Sequence, residues 1–532
     1  MKRILCALLC VAMLLPLAGC GTDESAYVPT GNGLTWDDPT APAATTPLDA
    51  PQENPLVMAY YASESFNPLV TTSQTNRTLG ALVYQGLFTI DRDYEAKPIL
   101  CKSFTMTPDM RTYVFYIHDA TFSDGTRLTA NDVVSSLRFA MESEVYGGRF
   151  HYVDQISMTP DSGIMFRLST AYEDLPLLLD IPILKAEELN RDRPVGTGPY
   201  RLDATASGMQ LTRRIEWWCK AELDINVDKI RLISAQSPVH IRDEFEFGDI
   251  NLVCADPGSN TYADYRCDYE LWDCENGIFV YLGCNMESPV FSNDDVRSAL
   301  TFAIDREKLA TAYYRGFARS TTLPVSPLSP FYSAGLASRY GYDPTKFAQA
   351  VIGAAVAGSN VVLLVNMDDS LRLQVARAIA AMLNECGLTV IVSELPTSQY
   401  RRALRRGEYD LYLGQTKLSP NMDLTAFFAH DGALRQGGLD NVQSYALCQE
   451  ALANRGNYYT LHQQVANDGR LTSLAFLNYA VYADRGLLTD MAPARENIFY
   501  YDLGKTKADV KNADISKPLE TVPTETEPEE GT

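Results

Sequence analysis

The stretch from residue 360 to residue 423 constrains the fold more than any other part of the chain. Residues 361–365 form a short, continuous apolar run, the pattern of a strand buried on both faces. Leu371, Val375, Ile379, Met382 and Leu383 follow at helical spacing, and Gly387 closes that helix. Residues 389–395 read as a second strand, residues 398–406 as a second helix with a basic exposed side ended by Gly407, and residues 409–413 as a third strand. Strands separated by helices pair in parallel, because a parallel pair needs a long crossover. The fold class is therefore α/β. Ligands of open α/β sheets sit beyond the carboxyl ends of the strands. That directs attention to the loops 366–370 and 414–423.

Other elements are legible upstream. Residues 56–61 read as a strand, followed by a turn at 63–68. Leu79, Leu82, Val83 and Leu87 place a helix over 78–87, ended near Gly86. Residues 112–118 are rich in β-formers. A turn at Phe122-Ser123-Asp124-Gly125-Thr126 leads to a helix with Thr129 as its N-cap and Asp132 in its first turn. Residues 292–316 read as one broken helix or two consecutive ones, with Asp305 capping the continuation.

The N-terminus carries a different signal. Lys2 and Arg3 precede an apolar stretch over 4–17, long enough for a signal core and short for a membrane span. It ends in Leu17-Ala18-Gly19-Cys20, which resembles the lipobox of bacterial lipoproteins, whose cysteine is lipidated and heads the mature chain. Residues 1–19 are then a signal peptide, and residues 20–55 are the lipidated Cys20 with a Pro/Thr/Gly-rich flexible tether, on the order of 100 Å when extended. The expected location is the outer face of the bacterial cell membrane, or the periplasm, with lipid as the only anchor. Residues 511–532 form a disordered acidic tail.

Charge narrows the partners. The 532 residues hold 45 Lys+Arg against 67 Asp+Glu, a net −22. Such a surface repels nucleic acid, so no nucleic-acid partner is expected. Of 11 cysteines, Cys6 and Cys10 leave with the signal and Cys20 carries lipid. The rest admit either disulfides, with Cys254, Cys267 and Cys274 as the nearest cluster, or buried free thiols.

Catalytic motifs are missing. The five histidines are widely spaced, with no H-E-x-x-H, and there is neither C-x-x-C nor G-x-S-x-G. Gly196-Thr197-Gly198-Pro199-Tyr200 is not a phosphate loop, since Pro199 removes a backbone donor. No catalytic residue, metal site or cofactor is expected. Acidic pairs such as Asp294-Asp295 are explained by helix starts.

Several stretches, in order, resemble family 5 extracellular solute-binding proteins, the oligopeptide/dipeptide/nickel-binding group serving ABC importers. They are Phe66-Asn67-Pro68-Leu69, then Leu82 to Phe88, then Phe122 to Val134. Pro194-Val195-Gly196-Thr197-Gly198-Pro199-Tyr200, Tyr281-Leu282-Gly283-Cys284-Asn285 and Val296 to Arg306 follow. The resemblance implies a two-lobed periplasmic-binding-protein-like fold (type II, cluster C) with hinge strands. Lobe I would span 56–284, with an inserted subdomain at about 98–195. Lobe II would span 285–481, and residues 482–510 would return to lobe I.

The resemblance further implies a monomer that closes over a peptide or other small solute and delivers it to an ABC permease and ATPase complex. Peptide binders of the family hold the ligand's α-amine with an aspartate after a strand end. Leu418 occupies that place here, with Lys417 beside it, and Asp423 matches a later aspartate. Lys417 then suits a ligand carboxylate; the opposite reading is an amine held from the other lobe, with Glu64 replacing the missing acid. By position, the candidate ligand-binding residues are Glu64, Ser65, Phe66, Asn67, Tyr84, Tyr281, Asn285, Gln415, Thr416, Lys417, Asn421 and Asp423. The alternatives are an outward-facing hydrolase (glycosidase or peptidase), or a sensor or adhesion module on the same fold.

Overall fold

Two long strands, Tyr269–Cys284 and Leu471–Asp484, pair antiparallel and run through the largest sheet. The structure is a computed structural model that describes residues 56–499 except 207, 221–226, 259–264, 489–490 and 496. The signal peptide, Cys20, the tether, the acidic tail and the end of the return segment lie outside the described residues. The second long strand is buried along its length except at Asp484, as its nearly continuous apolar and small-residue sequence requires. Around this pair the sheet continues in the order Leu252–Ala255, Leu471–Asp484, Tyr269–Cys284, Leu411–Lys417, Asn360–Asn366, Thr389–Leu395, and Ala318–Ser320 pairs with Leu471–Asp484.

The βαβαβ unit forms as the sequence predicts. Asn360–Asn366 pairs in parallel with Thr389–Leu395 in unbroken register, and with the third strand through Leu363 and Leu364. Helix Ser370–Glu385 is capped by Asp369, and helix Thr397–Arg406 ends at Gly407 with a left-handed φ of 66°. The third strand is Leu411–Lys417 rather than 409–413. Its antiparallel partner, Ile278 to Cys284, pulls four residues of the expected loop into the ladder.

Two further four-stranded sheets come from the first half. In one, Leu56–Tyr61 pairs in parallel with Lys229–Ala235, which continues antiparallel to Gly208–Arg213 and Tyr200–Thr205. The other is antiparallel and falls within 98–195, in the order Cys101–Met106, Thr112–Ile117, Ile164–Leu168, Val153–Met158. The helix expected at 78–87 is Gln74–Val83, because Ser73 caps it four residues earlier. It stops where the Pro194–Tyr200 segment crosses its end. There the Gly198 amide donates to the Val83 carbonyl at 2.8 Å, and a Cβ at Gly196 would sit 1.9 Å from that same oxygen. The glycines serve close backbone approach.

Thr129 and Asp132 form a capping box at the start of Ala130–Glu142. The stretch 292–316 breaks after Asp294–Ala299 into a tighter turn and a restart capped by Asp305. Arg306 is buried at that break and donates to the carbonyls of Thr301, Ile304 and Ser473. The break is thereby tied to a crossing strand. The eight described cysteines are all free thiols, so the disulfide reading of Cys254, Cys267 and Cys274 is corrected; burial pushes the Cys254 thiol up to about 12.

His462, on helix Tyr458–Asp468, is 0 % exposed, and neither ring nitrogen has a hydrogen-bond partner among the described residues. Burial lowers its pKa from 6.5 to about 3. Below 6.5 the unfolded chain binds a proton that the folded chain does not, so stability falls as pH drops toward 3, by about 1.4 kcal/mol per unit. His462→Leu is expected to raise Tm at pH 7 and to remove one proton's worth of slope from ΔG of unfolding between pH 6.5 and 4. Denaturant titrations across that range check it, and an unchanged slope contradicts it.

Candidate functional site

A cavity of about 810 Å³ opens between residues 77–178 of the first half and 416–449 of the second, with Arg495 of the return segment on its wall. The volume falls in the range of clefts that enclose small-molecule and cofactor ligands. Its second-half wall grows from the carboxyl end of Leu411–Lys417, where the parallel-sheet argument places a ligand. Thr416, Lys417, Asn421 and Asp423 all line it, and Lys417 is exposed to it.

The loop after Lys417 is held rigidly. The Leu418 amide donates to the Gly277 carbonyl at 3.0 Å, and the Leu418 carbonyl accepts from Arg495 Nη2. A Cβ at Gly277 would lie 2.3 Å from the Arg495 guanidinium carbon, so glycine is what admits the arginine. Ser419 and Met422 close a turn, and Tyr458 donates its hydroxyl to the Asn421 carbonyl at 2.6 Å. Met422 adopts a left-handed φ of 54° with its side chain fully buried. Burial of that side chain offsets the backbone cost.

Contacts across the cavity join the two halves. His151 Nε2 lies 3.1 Å from Asp423 Oδ2, while Asp423 Oδ1 accepts from the Thr425 amide at 2.9 Å and the Thr425 hydroxyl at 2.7 Å. Tyr152 and Thr425, 273 positions apart in sequence, share a hydroxyl–hydroxyl hydrogen bond, and Gln449 Nε2 donates to the Tyr152 hydroxyl at 3.0 Å. Outside the cavity lining, Arg455 Nε donates to both oxygens of Asp174 at 2.7 Å, and the Glu173 amide donates to the Leu452 carbonyl at 2.8 Å. The buried Asp174 carboxyl titrates above its ordinary range through desolvation, partly opposed by Arg455.

The other sequence-chosen residues lie elsewhere. Glu64 lines a separate cavity of about 530 Å³ at the carboxyl ends of Leu56–Tyr61 and Lys229–Ala235, away from Lys417. Ser65 donates to the Asp192 carbonyl, and buried Asn67 donates to the carbonyls of Leu189 and Arg191. Phe66 is core, and the Tyr84 hydroxyl donates to Pro194. Tyr281 packs against Phe279, Tyr412 and Phe427. Asn285 donates to Gly407 and Tyr409, and Gln415 accepts from Arg372. None of these is among the described residues lining the larger cavity. Loop 366–370 is likewise absent from that lining; its Asp368 caps Thr397 instead. Arg77, His151, Tyr152, Gln449 and Arg495 were missed, because nothing local marks them and only the fold brings them to one wall.

A sequence profile described as bacterial extracellular solute-binding proteins, family 5 middle, matches residues 95–433. The chain is 23% identical over 461 residues to the oligopeptide-binding protein AppA of Bacillus subtilis (strain 168), covering 78% of this chain and 84% of that one. Among solved structures, the ABC transporter substrate-binding protein CtaP of Listeria monocytogenes is similar with TM-score 0.70 at 18% identity, covering 84% of this chain and 98% of that one. AppA from Bacillus subtilis, in complex with a nonapeptide, gives TM-score 0.60 at 21% identity, covering 84% and 97%. These likenesses show the two-lobed α/β fold.

His151 carries a pH prediction. Burial works against its charge, but the hydrogen bond and charge of Asp423, with the Gly148 carbonyl, outweigh it and raise its pKa above 6.5. The pair's contribution is fully present below pH 6.5 and is lost as pH rises through the raised value. His151→Gln should therefore flatten the fall of Tm with pH above 6.5. Thermal melts from pH 6 to 8.5 read this directly, and a variant that loses Tm in parallel with the parent chain would refute it.

Proposed function

Because the chain belongs to the bacterial extracellular solute-binding proteins of family 5, we propose that it is the solute-binding component of an ABC importer for oligopeptides or related solutes. Membership makes it a binding protein rather than a catalyst and sets aside the hydrolase alternative. The observation that carries the reading is the cavity of about 810 Å³ walled by both halves of the chain and bridged by His151–Asp423 and Tyr152–Thr425. A solute there stabilises the closed form only through contacts that the open form lacks.

Thr416, Lys417, Asn421 and Asp423 are assigned to the solute from the second half, and Arg77, His151 and Tyr152 from the first, since all seven line the cavity. The lobe boundary near 284 is supported by its position at the end of the crossing strand Tyr269–Cys284, and the return to lobe I near 481 by the packing of Val481 into the first-half core. The lipid anchor at Cys20 is supported by the lipobox-like Leu17-Ala18-Gly19-Cys20. Among the described residues, no helix is long and apolar enough to cross a membrane.

Mass spectrometry of the freshly purified protein tests both points. Denaturation should release a small solute in near-equimolar amount, of peptide or similar size. The intact chain should begin at Cys20 with the added mass of acyl chains. Release of nothing from repeated preparations that also fail to bind short peptides would contradict the import reading.

A further inference from the structure

The helix Thr397–Arg406 carries a charge pattern that its own stability does not explain. Its inner side is fixed: Tyr400 and Ala403 are buried, Leu404 is half-buried, and the Tyr400 hydroxyl donates to the Leu413 carbonyl at 3.0 Å. Asp368 accepts from the Thr397 amide at 2.8 Å and ties down the first turn. The outer side presents Arg401, Arg402, Arg405 and Arg406, all exposed. Arg406 lies 3.4 Å from Glu408. The guanidinium groups of Arg401, Arg402 and Arg405 have no hydrogen-bond or ion-pair partner among the described residues. Like charges four positions apart destabilise a helix, and both Arg401/Arg405 and Arg402/Arg406 are such pairs. Only Arg405 and Arg406, in the last turn, gain from the helix dipole. An unanswered basic row on a chain of net −22 points outward, to a partner of opposite charge.

The surroundings of the row are those of a protein contact. Thr389–Leu395 is the last strand of its sheet: Asn360–Asn366 pairs along one side, and no described strand pairs along the other. Ile391 on that strand is 53 % exposed. Leu395, on the same face of the strand as Ile391, packs in one cluster with Tyr400, Ala403 and Leu404 of the helix. An exposed apolar side chain and an open strand edge therefore flank the helix. Every cation of the row is arginine, whose planar fork matches carboxylates and which is enriched at protein interfaces, where lysine is depleted. An anionic lipid surface would instead repel a body of this net charge. None of the four arginines lines the cavity of about 810 Å³, so a contact made here is separable from solute binding.

Resting on the importer reading above, we propose that the arginine face of Thr397–Arg406, with Ile391 and the open edge of Thr389–Leu395, is the surface by which the second half docks on an acidic external segment of the permease. The charges steer the encounter and set its orientation, so their loss slows association more than it weakens solute capture.

The test measures uptake, by cells of the source bacterium, of the isotope-labelled solute that denaturation of the purified chain releases. Cells with the parent chain, with no chain and with the triple variant Arg401→Glu/Arg402→Glu/Arg405→Glu are compared. The purified variant should keep the parent's Tm and solute affinity, while uptake falls at least tenfold. Uptake at the parent's rate overturns the docking proposal and leaves the importer reading standing. Uptake that is unchanged in cells without the chain removes the importer reading instead. If the triple variant loses Tm, Arg402→Gln decides, with uptake expected to fall about threefold. A benzophenone side chain placed at position 402 of the full chain identifies the partner by mass spectrometry of the joined peptides after irradiation of cells. It should join an Asp/Glu-rich external loop of the permease. Joining to lipid, to this chain's own residues 20–55 or 500–532, to a protein outside the importer, or to nothing overturns the proposal.

Discussion

Tyr269–Cys284 and Leu471–Asp484 exchange backbone hydrogen bonds along most of their lengths, and each hydrophobic cluster draws side chains from them. Cys274, Tyr479 and Val481 enter the first-half core, while Val280, Leu282 and Leu477 enter a core of the second half. One ladder thus belongs to both halves. Its register shifts between Glu275 and Phe279, and again between Val280 and Tyr281. Bulges of this kind bend a strand and raise its twist. Gly277 sits in the first shift with a left-handed φ of 75°.

The loop after Lys417 inherits its position from that bulge. Gly277 offers its carbonyl to Leu418 and leaves room for Arg495, which in turn holds the Leu418 carbonyl. Beside it the buried Glu275 accepts from Tyr94 and Ser326, and desolvation raises its pKa while those bonds and Arg495 oppose the rise. The hinge ladder, the first-half residue Tyr94 and the cavity wall are therefore one polar network. A change in the angle between the halves must rearrange it, which gives solute binding and closure a common structural element.

What the sequence reveals is local. The parallel unit is legible because strands of seven residues, such as Asn360–Asn366, carry uninterrupted apolar runs, and their helices end at Gly387 and Gly407. The third strand is misplaced for a physical reason: Gly414, Gln415 and Thr416 look like a loop, yet their ladder partner is remote in sequence. Gly414 tolerates that pairing because a Cβ there would lie 2.4 Å from the Tyr281 ring. The site divides in the same way. Thr416, Lys417, Asn421 and Asp423 follow from the rule about strand ends, but His151, Tyr152 and Arg495 reach the wall through contacts that no local pattern encodes. Phe66, Asn67 and Asn285 lie in motifs that read as functional and instead hold neighbouring backbone or core in place.

The central claim is that solute is enclosed by closure of two halves about the crossing strands. Small-angle scattering on the mature chain, freed of solute and then saturated with the solute that mass spectrometry recovers, tests it most directly. The account predicts a smaller radius of gyration in the saturated protein, with a matching loss of the contraction when His151 and Tyr152 are replaced together by alanine. Saturating solute that leaves the radius unchanged would contradict it.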